Sequence, residues 1–192
     1  MSKRIALLSA VTFSALALTA AIVSPVSAQD KMKSEMSGEK TVMVGGAAMF
    51  PSKNIVQNAV HSKDHTTLVA AVKAAGLVDT LEGKGPFTVF APTNTAFGKL
   101  PAGTVDTLVK PENKATLTKI LTYHVVPGKL EASDLTDGKK LKTVQGEELT
   151  VKRSGDTVMI IDAKGGSSTV TIQNVNQSNG VIHVVDTVLM PS

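Results

Sequence analysis

The sequence contains no cysteine among its 192 residues. The chain therefore cannot form disulfides, thiolate metal sites or a thiol nucleophile, and a bacterial lipid anchor would have no cysteine for its attachment. Exported domains with too small a core are commonly cross-linked by disulfides, so this chain must be stabilised by burial alone. Its length suffices for one hydrophobic core of ordinary size.

Aromatic and arginine side chains are also scarce. The chain has no tryptophan, one tyrosine and five phenylalanines, and Arg4 and Arg153 are its arginines. Proteins that bind nucleic acids commonly present guanidinium groups to phosphates and aromatic rings to bases. The formal net charge is +4, but removal of a targeting segment with Lys3 and Arg4 would leave eighteen cationic side chains against sixteen carboxylates. We therefore do not expect nucleic acid as a partner.

The sequence also lacks a recognisable catalytic or metal-binding motif. No serine lies in a Gly-x-Ser-x-Gly elbow. Among the four histidines, His61 and His65 form an i, i+4 pair, but residues 62–64 read as a junction between two helices, where helical spacing does not apply. We therefore assign no catalytic residue, no metal and no cofactor. A hydrolase that uses Asp134 with Asp137 is kept as a less favoured alternative.

The N-terminus has the pattern of a secretory signal. Lys3 and Arg4 precede an apolar run over residues 5–23, and Val26-Ser27-Ala28 supplies the small residues that signal peptidase requires. We predict cleavage between Ala28 and Gln29, with an uncleaved membrane anchor as the alternative. Residues 1–28 are thus interpreted as a signal peptide, residues 29–50 as a flexible leader and residues 51–191 as one domain. After cleavage we expect no stable membrane insertion and a secreted or periplasmic protein.

Hydrophobic periodicity changes from helical to alternating along the domain. Helices are predicted mostly in the N-terminal half, with Ser52 and Asp64 as candidate N-caps and Gly76 as the end of the second helix. From residue 141 onward, apolar residues alternate with polar ones between turn sequences, which indicates β-hairpins. The fold class is therefore α+β, with helices gathered against a largely antiparallel sheet.

Two further segments give residue-level expectations. His124 ends an apolar helical stripe that contains Leu117, Ile120 and Leu121, so burial of its ring is predicted. Residues 181–189 are apolar at both alternating sets of positions, which is typical of a central strand. His183 and Asp186 then lie on opposite faces of this strand. They cannot act as a catalytic pair, and we expect both to bond backbone groups.

Three segments carry a family resemblance. The segment GPFTVFAPTN at residues 85–94, followed by Ala96-Phe97, the box YHVVPG at residues 123–128 and the segment GVIHVVDTVL at residues 180–189 occur in that order. Together they closely resemble the signatures of fasciclin-type domains, over about residues 51–191. The resemblance implies a helix-decorated β wedge in an exported adhesion or interaction module without general catalytic activity. Asn94, His183 and Asp186 are interpreted as structural residues of these signatures.

The first functional hypothesis is a non-catalytic module that binds a protein or glycan at a cell surface or matrix. The resemblance implies Tyr123 and His124 as candidate contacts, either directly or by shaping the surface. Lys139, Lys140 and Lys142 are a second candidate site for an acidic partner, although lysines also serve to protect exposed strands. A small-ligand or polysaccharide carrier is the alternative, weakened by the scarcity of aromatic residues.

The signal-peptide interpretation gives the first testable prediction. Because Val26-Ser27-Ala28 ends the apolar segment, the exported protein should begin at Gln29, in part cyclised to pyroglutamate. Intact-mass and N-terminal peptide measurements on exported material check this. Retention of residues 1–28 would show that the segment is an anchor.

Overall fold

The computed structural model describes residues 40–192. The predicted signal peptide and residues 29–39 of the predicted leader lie outside the described residues. The helices are short and are concentrated before residue 124. They are α1 Ile55–Ala59, α2 Thr66–Ala75, α3 Val78–Glu82, α4 Asn94–Gly98, α5 Thr104–Leu108 and α6 Lys114–Tyr123, with 3₁₀ turns at Lys63–His65 and Pro111–Asn113.

Local capping explains where these helices begin and end. Asn54, and not the predicted Ser52, caps α1, because its side chain accepts from Gln57 N. The Gln57 side chain in turn accepts from Asn54 N. Asp64 lies inside the 3₁₀ turn before α2, so it does not provide the predicted cap. Gly76 ends α2 in the left-handed conformation at φ 72°, as predicted.

The described residues form a two-stranded hairpin and a seven-stranded sheet. The strands are β1 Val42–Val44, β2 Ala47–Met49, β3 Phe87–Pro92, β4 Val125–Pro127, β5 Lys140–Lys142, β6 Glu148–Ser154, β7 Thr157–Ile161, β8 Ser167–Gln177 and β9 Gly180–Val185. Strands β1 and β2 form the hairpin, and the large sheet has the order β4-β3-β9-β8-β7-β6-β5. Within it β3 and β9 are parallel and the other described pairs are antiparallel.

The large sheet curls until its two outer strands meet. Just after β5, Val144 N donates to the carbonyl of Val125 in β4 at 2.8 Å. The β8–β9 pairing shifts register between Val170 and Val175, and within this bulge Asn174 adopts φ 56°. Bulges increase local strand bending, so this irregularity helps the sheet to close. The result is a nearly closed, wedge-shaped sheet with helices beside it, which confirms the α+β prediction and the wedge that the family resemblance implied.

Two apolar clusters lie on opposite faces of β9. Ile182 and Val184 pack in the cluster between the sheet and the helices. Val185 packs inside the wedge, in a cluster that also contains Leu189 just after the strand. Because β9 lies between β3 and β8 and all its residues are buried, the prediction of a central strand is confirmed.

The start of the folded domain differs from the sequence expectation. Residues 42–49, placed in the flexible leader, form the β1–β2 hairpin, and Val44 and Met49 are buried in the helix-side cluster. The hairpin is attached to the 3₁₀ turn by Lys63 N, which donates to the carbonyl of Gly45 at 3.2 Å. A short apolar segment with paired glycines looks unstructured in sequence, but its burial depends on partners far along the chain. The ordered domain thus begins before residue 51.

The close packing of β3 against β9 gives a stability prediction. Gly180 lies opposite Phe87, and a Cβ at Gly180 would collide with the Phe87 carbonyl oxygen, which is backbone and cannot move aside. Gly180→Ala should therefore lower the free energy of unfolding by about 2 kcal/mol or more. Denaturant unfolding measures this change.

Gly98→Ala is the matched control for that substitution. Gly98 is the last residue of α4, and a Cβ there meets no atom within 4 Å. Alanine should leave stability unchanged or raise it by up to about 1 kcal/mol because it favours the helix. Equal effects at the two glycines would contradict the assigned role of Gly180.

Candidate functional site

Tyr123 lies at the C-terminal end of α6 and is fully buried. Its hydroxyl donates to the carbonyl of Glu148 at 3.2 Å and accepts from Ala163 N at 2.8 Å. Burial raises the pKa of the Tyr123 phenol, and the Ala163 N–H opposes this shift in part. The hydroxyl thus connects α6 to β6 and to the turn between β7 and β8.

His124 follows Tyr123 and is 2 % exposed. Its Nε2 accepts from Leu189 N at 3.0 Å, and its Nδ1 lies 2.9 Å from the carbonyl of Ile120. Since Leu189 N–H donates to Nε2, Nδ1 carries the proton and donates to Ile120. Burial lowers the pKa of His124 to about 4, against the smaller opposing effects of the Ile120 carbonyl and Asp162. The ring is therefore a neutral connector between α6 and the segment after β9.

These positions correct the candidate contact role of Tyr123 and His124. Both side chains use their polar atoms on backbone groups inside the protein, so neither offers an atom to a partner in this fold. The sequence already indicated burial of His124 from its apolar stripe. Tyr123 gave no such signal, because its burial arises from the packing of α6 against β6.

The predicted structural residues also bond backbone. His183 is fully buried, its Nε2 donates to the carbonyl of Leu130 at 2.8 Å, and its ring stacks on Phe90 with centroids 5.8 Å apart. Burial lowers the pKa of His183. Asn94 accepts from Thr67 N at 3.0 Å and donates to the carbonyl of Lys63 at 2.8 Å, which connects α4 to the start of α2.

Asp186 lies just after β9, and its side chain is 40 % exposed. It accepts from Thr169 N at 2.8 Å and pairs with Lys99 at 3.3 Å. Burial acts to raise its pKa, but the hydrogen bonds from Thr169, Thr187 and Lys99 together hold the pKa of Asp186 below its usual range. It therefore bonds backbone, as predicted for it, but at the edge of the interior.

The candidate lysines lie at one outer strand of the sheet. Lys140 and Lys142 are exposed on the same side of β5, while Leu141 between them is buried in the wedge. Lys140 pairs with Glu148 at 3.4 Å. Lys139 donates to the carbonyl of Asp134 at 2.7 Å, so its amine is partly occupied. The exposed cationic surface at this strand therefore depends mainly on Lys142.

The two histidines of the metal alternative differ in burial, and the two aspartates of the hydrolase alternative bond different backbone groups. His61 is exposed, whereas His65 is buried with Nδ1 2.9 Å from Ser62 Oγ. In residues 40–192, no group of three or more His, Cys, Asp or Glu side chains could hold a metal ion. Asp134 accepts from Glu131 N within its own loop, and Asp137 accepts from Arg153 N of β6, so each carboxylate bonds a backbone group.

An apolar cavity lies between the helices and the sheet, and the sequence did not predict it. Its volume is about 80 Å³, and it lies between α1, α2 and α3 on one side and β3 and β9 on the other. Its walls are almost entirely Val, Leu, Ile, Ala, Met and Phe side chains, with His65 and His124 as the buried polar residues. The apolar residues Leu77, Val78 and Leu81, at and just before the start of α3, were the available signal in the sequence. Their common cavity could not be predicted because its walls come from segments far apart in sequence.

The comparisons with known proteins identify the family. The family model of the fasciclin domain matches residues 63–191. The chain belongs to the fasciclin domain family. It is 50 % identical over 153 residues to Protein sll1483 of Synechocystis, which covers 80 % of this chain and 82 % of that protein.

Other relatives of this fasciclin domain are mycobacterial proteins, and one of them is named as a cell-surface protein. The Immunogenic protein MPB70 of Mycobacterium bovis is 39 % identical, over 69 % of this chain and 66 % of that protein. The Cell surface glycolipoprotein MPB83 of the same species is 46 % identical, over 60 % and 48 %. The solved FAS1 domain pair of the insect cell adhesion molecule Fasciclin I shares the fold, with a TM-score of 0.65 at 19 % identity, covering 73 % of this chain and 52 % of that chain.

The coarse functional class follows from the family. Fasciclin domains are known from cell adhesion and cell-surface proteins and are not known as enzymes. Across residues 40–192, no helix has both the length and the apolar character needed to cross a membrane.

The burial of His124 gives a pH-dependent prediction. An unfolded histidine binds a proton below about pH 6.5, whereas folded His124 does so only near pH 4. The free energy of unfolding should therefore fall as the pH is lowered from about 6.5 to 4, by up to about 3 kcal/mol from this residue. His124→Gln should cost about 1–3 kcal/mol at pH 7 and should make the pH dependence shallower. Denaturant unfolding at pH 7 and pH 4.5 measures both effects.

His61→Gln is the control for the pH experiment, since it removes an exposed histidine four residues before the buried His65. His65 and His183 also have lowered pKa values, so part of the pH dependence should remain in the His124 variant. If His124→Gln and the parent showed the same pH dependence, a neutral buried His124 would be contradicted.

Proposed function

We propose that this fasciclin domain is an exported, non-catalytic binding module for an acidic glycan or protein at a cell surface or matrix. The observation that carries the proposal is the outer face of the sheet at β5, β6 and β7. The polar groups of the described signature residues bond backbone groups within the fold. A partner would therefore bind at other, exposed residues. Surface position also agrees with a family known for adhesion.

Strand register places several side chains on that outer face. Lys140 lies opposite Thr150, and Lys142 lies opposite Glu148, so all four share one side of the sheet. On the same side, Lys152 lies opposite the half-buried Met159 of β7. Three lysines and one glutamate therefore share this side of the sheet, with Met159 beside them. We call Lys140, Lys142 and Lys152 the lysine face.

The lysine face has the properties of a weak anion-binding surface. Its lysines are exposed, and Glu148 is paired with Lys140 at 3.4 Å. Exposed pairs contribute little to stability, so a carboxylate or sulfate of a partner can compete with Glu148 for Lys140 at small cost. Binding of this kind is expected to weaken with salt, because exposed charges are screened.

The apolar cavity supports a second candidate function, the carriage of a small ligand. Its walls offer water almost no hydrogen bonds, and about 80 Å³ is several times the space that one water requires. Apolar pockets with few polar groups are the usual form of small-molecule sites. The apolar walls of the cavity therefore favour an apolar ligand over a polysaccharide. The two functions use different parts of the domain and can coexist.

The lysine face gives the next prediction. Lys140→Glu with Lys142→Glu should abolish or strongly weaken binding to alginate, a polyanionic polysaccharide, while lowering stability by only about 1 kcal/mol, because the new carboxylates lie beside Glu148. The parent protein should bind alginate less tightly as salt is raised. Affinity electrophoresis or calorimetry at several salt concentrations measures the binding, with neutral dextran as the ligand control.

Lys110→Glu with Lys114→Glu is the matched control, because these two exposed lysines lie beside the start of α6 and the double variant changes net charge equally. If both double variants lost alginate binding to the same degree, net charge and not the lysine face would be responsible. If the parent bound neither alginate nor other polyanions, an acidic partner for this face would be excluded.

A further inference from the structure

Asn179 lies with Ser178 in the two-residue turn between β8 and β9. Of the seven asparagines in the chain, it is the one that a glycine follows. An asparagine before glycine loses its side-chain amide more readily than one before any other residue, because the glycine carries no side chain to hinder attack by its nitrogen. The turn is therefore a candidate site of spontaneous deamidation.

The amide of Asn179 is held by three hydrogen bonds to backbone groups. Its Oδ1 accepts from Ile55 N, the first residue of α1, at 3.1 Å. Its Nδ2 donates to the carbonyl of Leu81 in α3 at 2.7 Å and to the carbonyl of Gly83, just after α3, at 3.1 Å. The side chain cannot turn toward its own backbone unless these three bonds break. The fold thus keeps the amide away from the reaction that the sequence favours.

The residue that would attack the amide is also fixed. Gly180 is buried as the first residue of β9, opposite Gln177 of β8 and Phe87 of β3. A Cβ at Gly180 would collide with the Phe87 carbonyl oxygen, so the strands leave no room for an added atom. The backbone around Gly180 is therefore restrained on both sides by strand pairing.

We propose that Asn179 is a modification site that the native fold protects and that unfolding exposes, and that its modification lowers the stability of the refolded domain. In the unfolded chain the Gly180 nitrogen bonds to Cγ of Asn179, the Cγ–Nδ2 bond breaks, and ammonia leaves with the proton of the Gly180 N–H. Water then opens the resulting succinimide, at Cγ to give aspartate or at the backbone carbonyl of Asn179 to give isoaspartate. The reaction consumes one water, releases one ammonia and involves no change of oxidation state.

Both products lose contacts that hold the turn. A carboxylate oxygen replaces Nδ2 and has no proton to donate to the carbonyls of Leu81 and Gly83, which leaves these groups unpaired at a cost in free energy. Isoaspartate also lengthens the backbone by one methylene beside Gly180 and disturbs the register of β9 against β8 and β3. A period of unfolding therefore leaves a permanent change at this residue.

The first test compares deamidation rates in the purified protein, native or unfolded in guanidinium chloride, in mildly alkaline H₂¹⁸O. Peptide mass spectrometry follows residue 179, because hydrolysis of the succinimide incorporates one oxygen from water. Asn113, which precedes a lysine, is the internal reference. Deamidation of Asn179 should be at least about 100-fold slower in the native protein, because it then requires the turn to open.

The second test uses Asn179→Asp, which introduces one of the products into every molecule. Its thermal midpoint should fall by about 5 °C or more, because two buried donor contacts are lost. Asn113→Asp is the matched control. It loses one bond to the carbonyl of Thr107 but gains a carboxylate at the start of α6, so its midpoint should change by no more than about 2 °C.

Three results would overturn the inference. Equal rates at Asn179 in the native and unfolded protein would show that the fold gives no protection. Deamidation of Asn179 in the unfolded chain no faster than that of Asn113 would show that it is not a modification site. An unchanged midpoint for Asn179→Asp would show that the modification does not weaken the fold, whereas failure of this variant to fold would support that part of the proposal.

Discussion

The parallel pairing of β3 with β9 is the contact on which both halves of the domain depend. Strand β9 hydrogen-bonds β3 along one edge and β8 along the other, and it presents apolar side chains to both faces. One face forms the floor of the helix-side cluster and the other forms a wall of the wedge interior. The pairing is possible because Gly180 lets the backbone of Phe87 approach without a Cβ between them. A disturbance there would reach the cavity and the sheet together.

Buried histidines connect elements that the sheet does not join. His124 joins α6 to the segment after β9, and His183 joins β9 to the loop that carries Leu130. A neutral imidazole can donate from one nitrogen and accept at the other, so one ring can satisfy two backbone groups. At His124 and His183 this residue type therefore has a structural role.

The two proposed binding regions differ in how the fold creates them. The lysine face follows from strand alternation, because every second residue of β5 and β6 points outward and the register sets Lys142 opposite Glu148 and Lys152 opposite Met159. The cavity results from incomplete packing of three short helices and a hairpin against β3 and β9. Short helices with few buried residues each fill space less completely than long ones, so a cavity between them is easily left. A partner at the surface and a ligand in the interior would thus bind at separate regions of one fold.

The sequence by itself determined the features that depend on neighbouring residues and on the alternation of apolar and polar positions. The left-handed end of α2 at Gly76, the central position of residues 180–185 and the burial of His124 could all be predicted from the printed residues. The three signature segments predicted the wedge, and the family comparison agrees with them. Tyr123 and His124, which the family resemblance implied as candidate contacts, are buried and bond backbone groups inside the fold. A signature motif can contain residues that stabilise the fold, and both of these residues stabilise it from the interior.

Tertiary structure alone decided the rest, since it depends on which distant segments meet. The hairpin at residues 42–49 looks like a leader until the 3₁₀ turn and the helix-side cluster cover it. Asp64 and Ser52 were reasonable caps by position, but the chain turns elsewhere and Asn54 provides the cap of α1. The cavity could not be predicted, because hydrophobic periodicity indicates only which residues prefer burial. Whether their surroundings fill the space completely is fixed by packing in three dimensions.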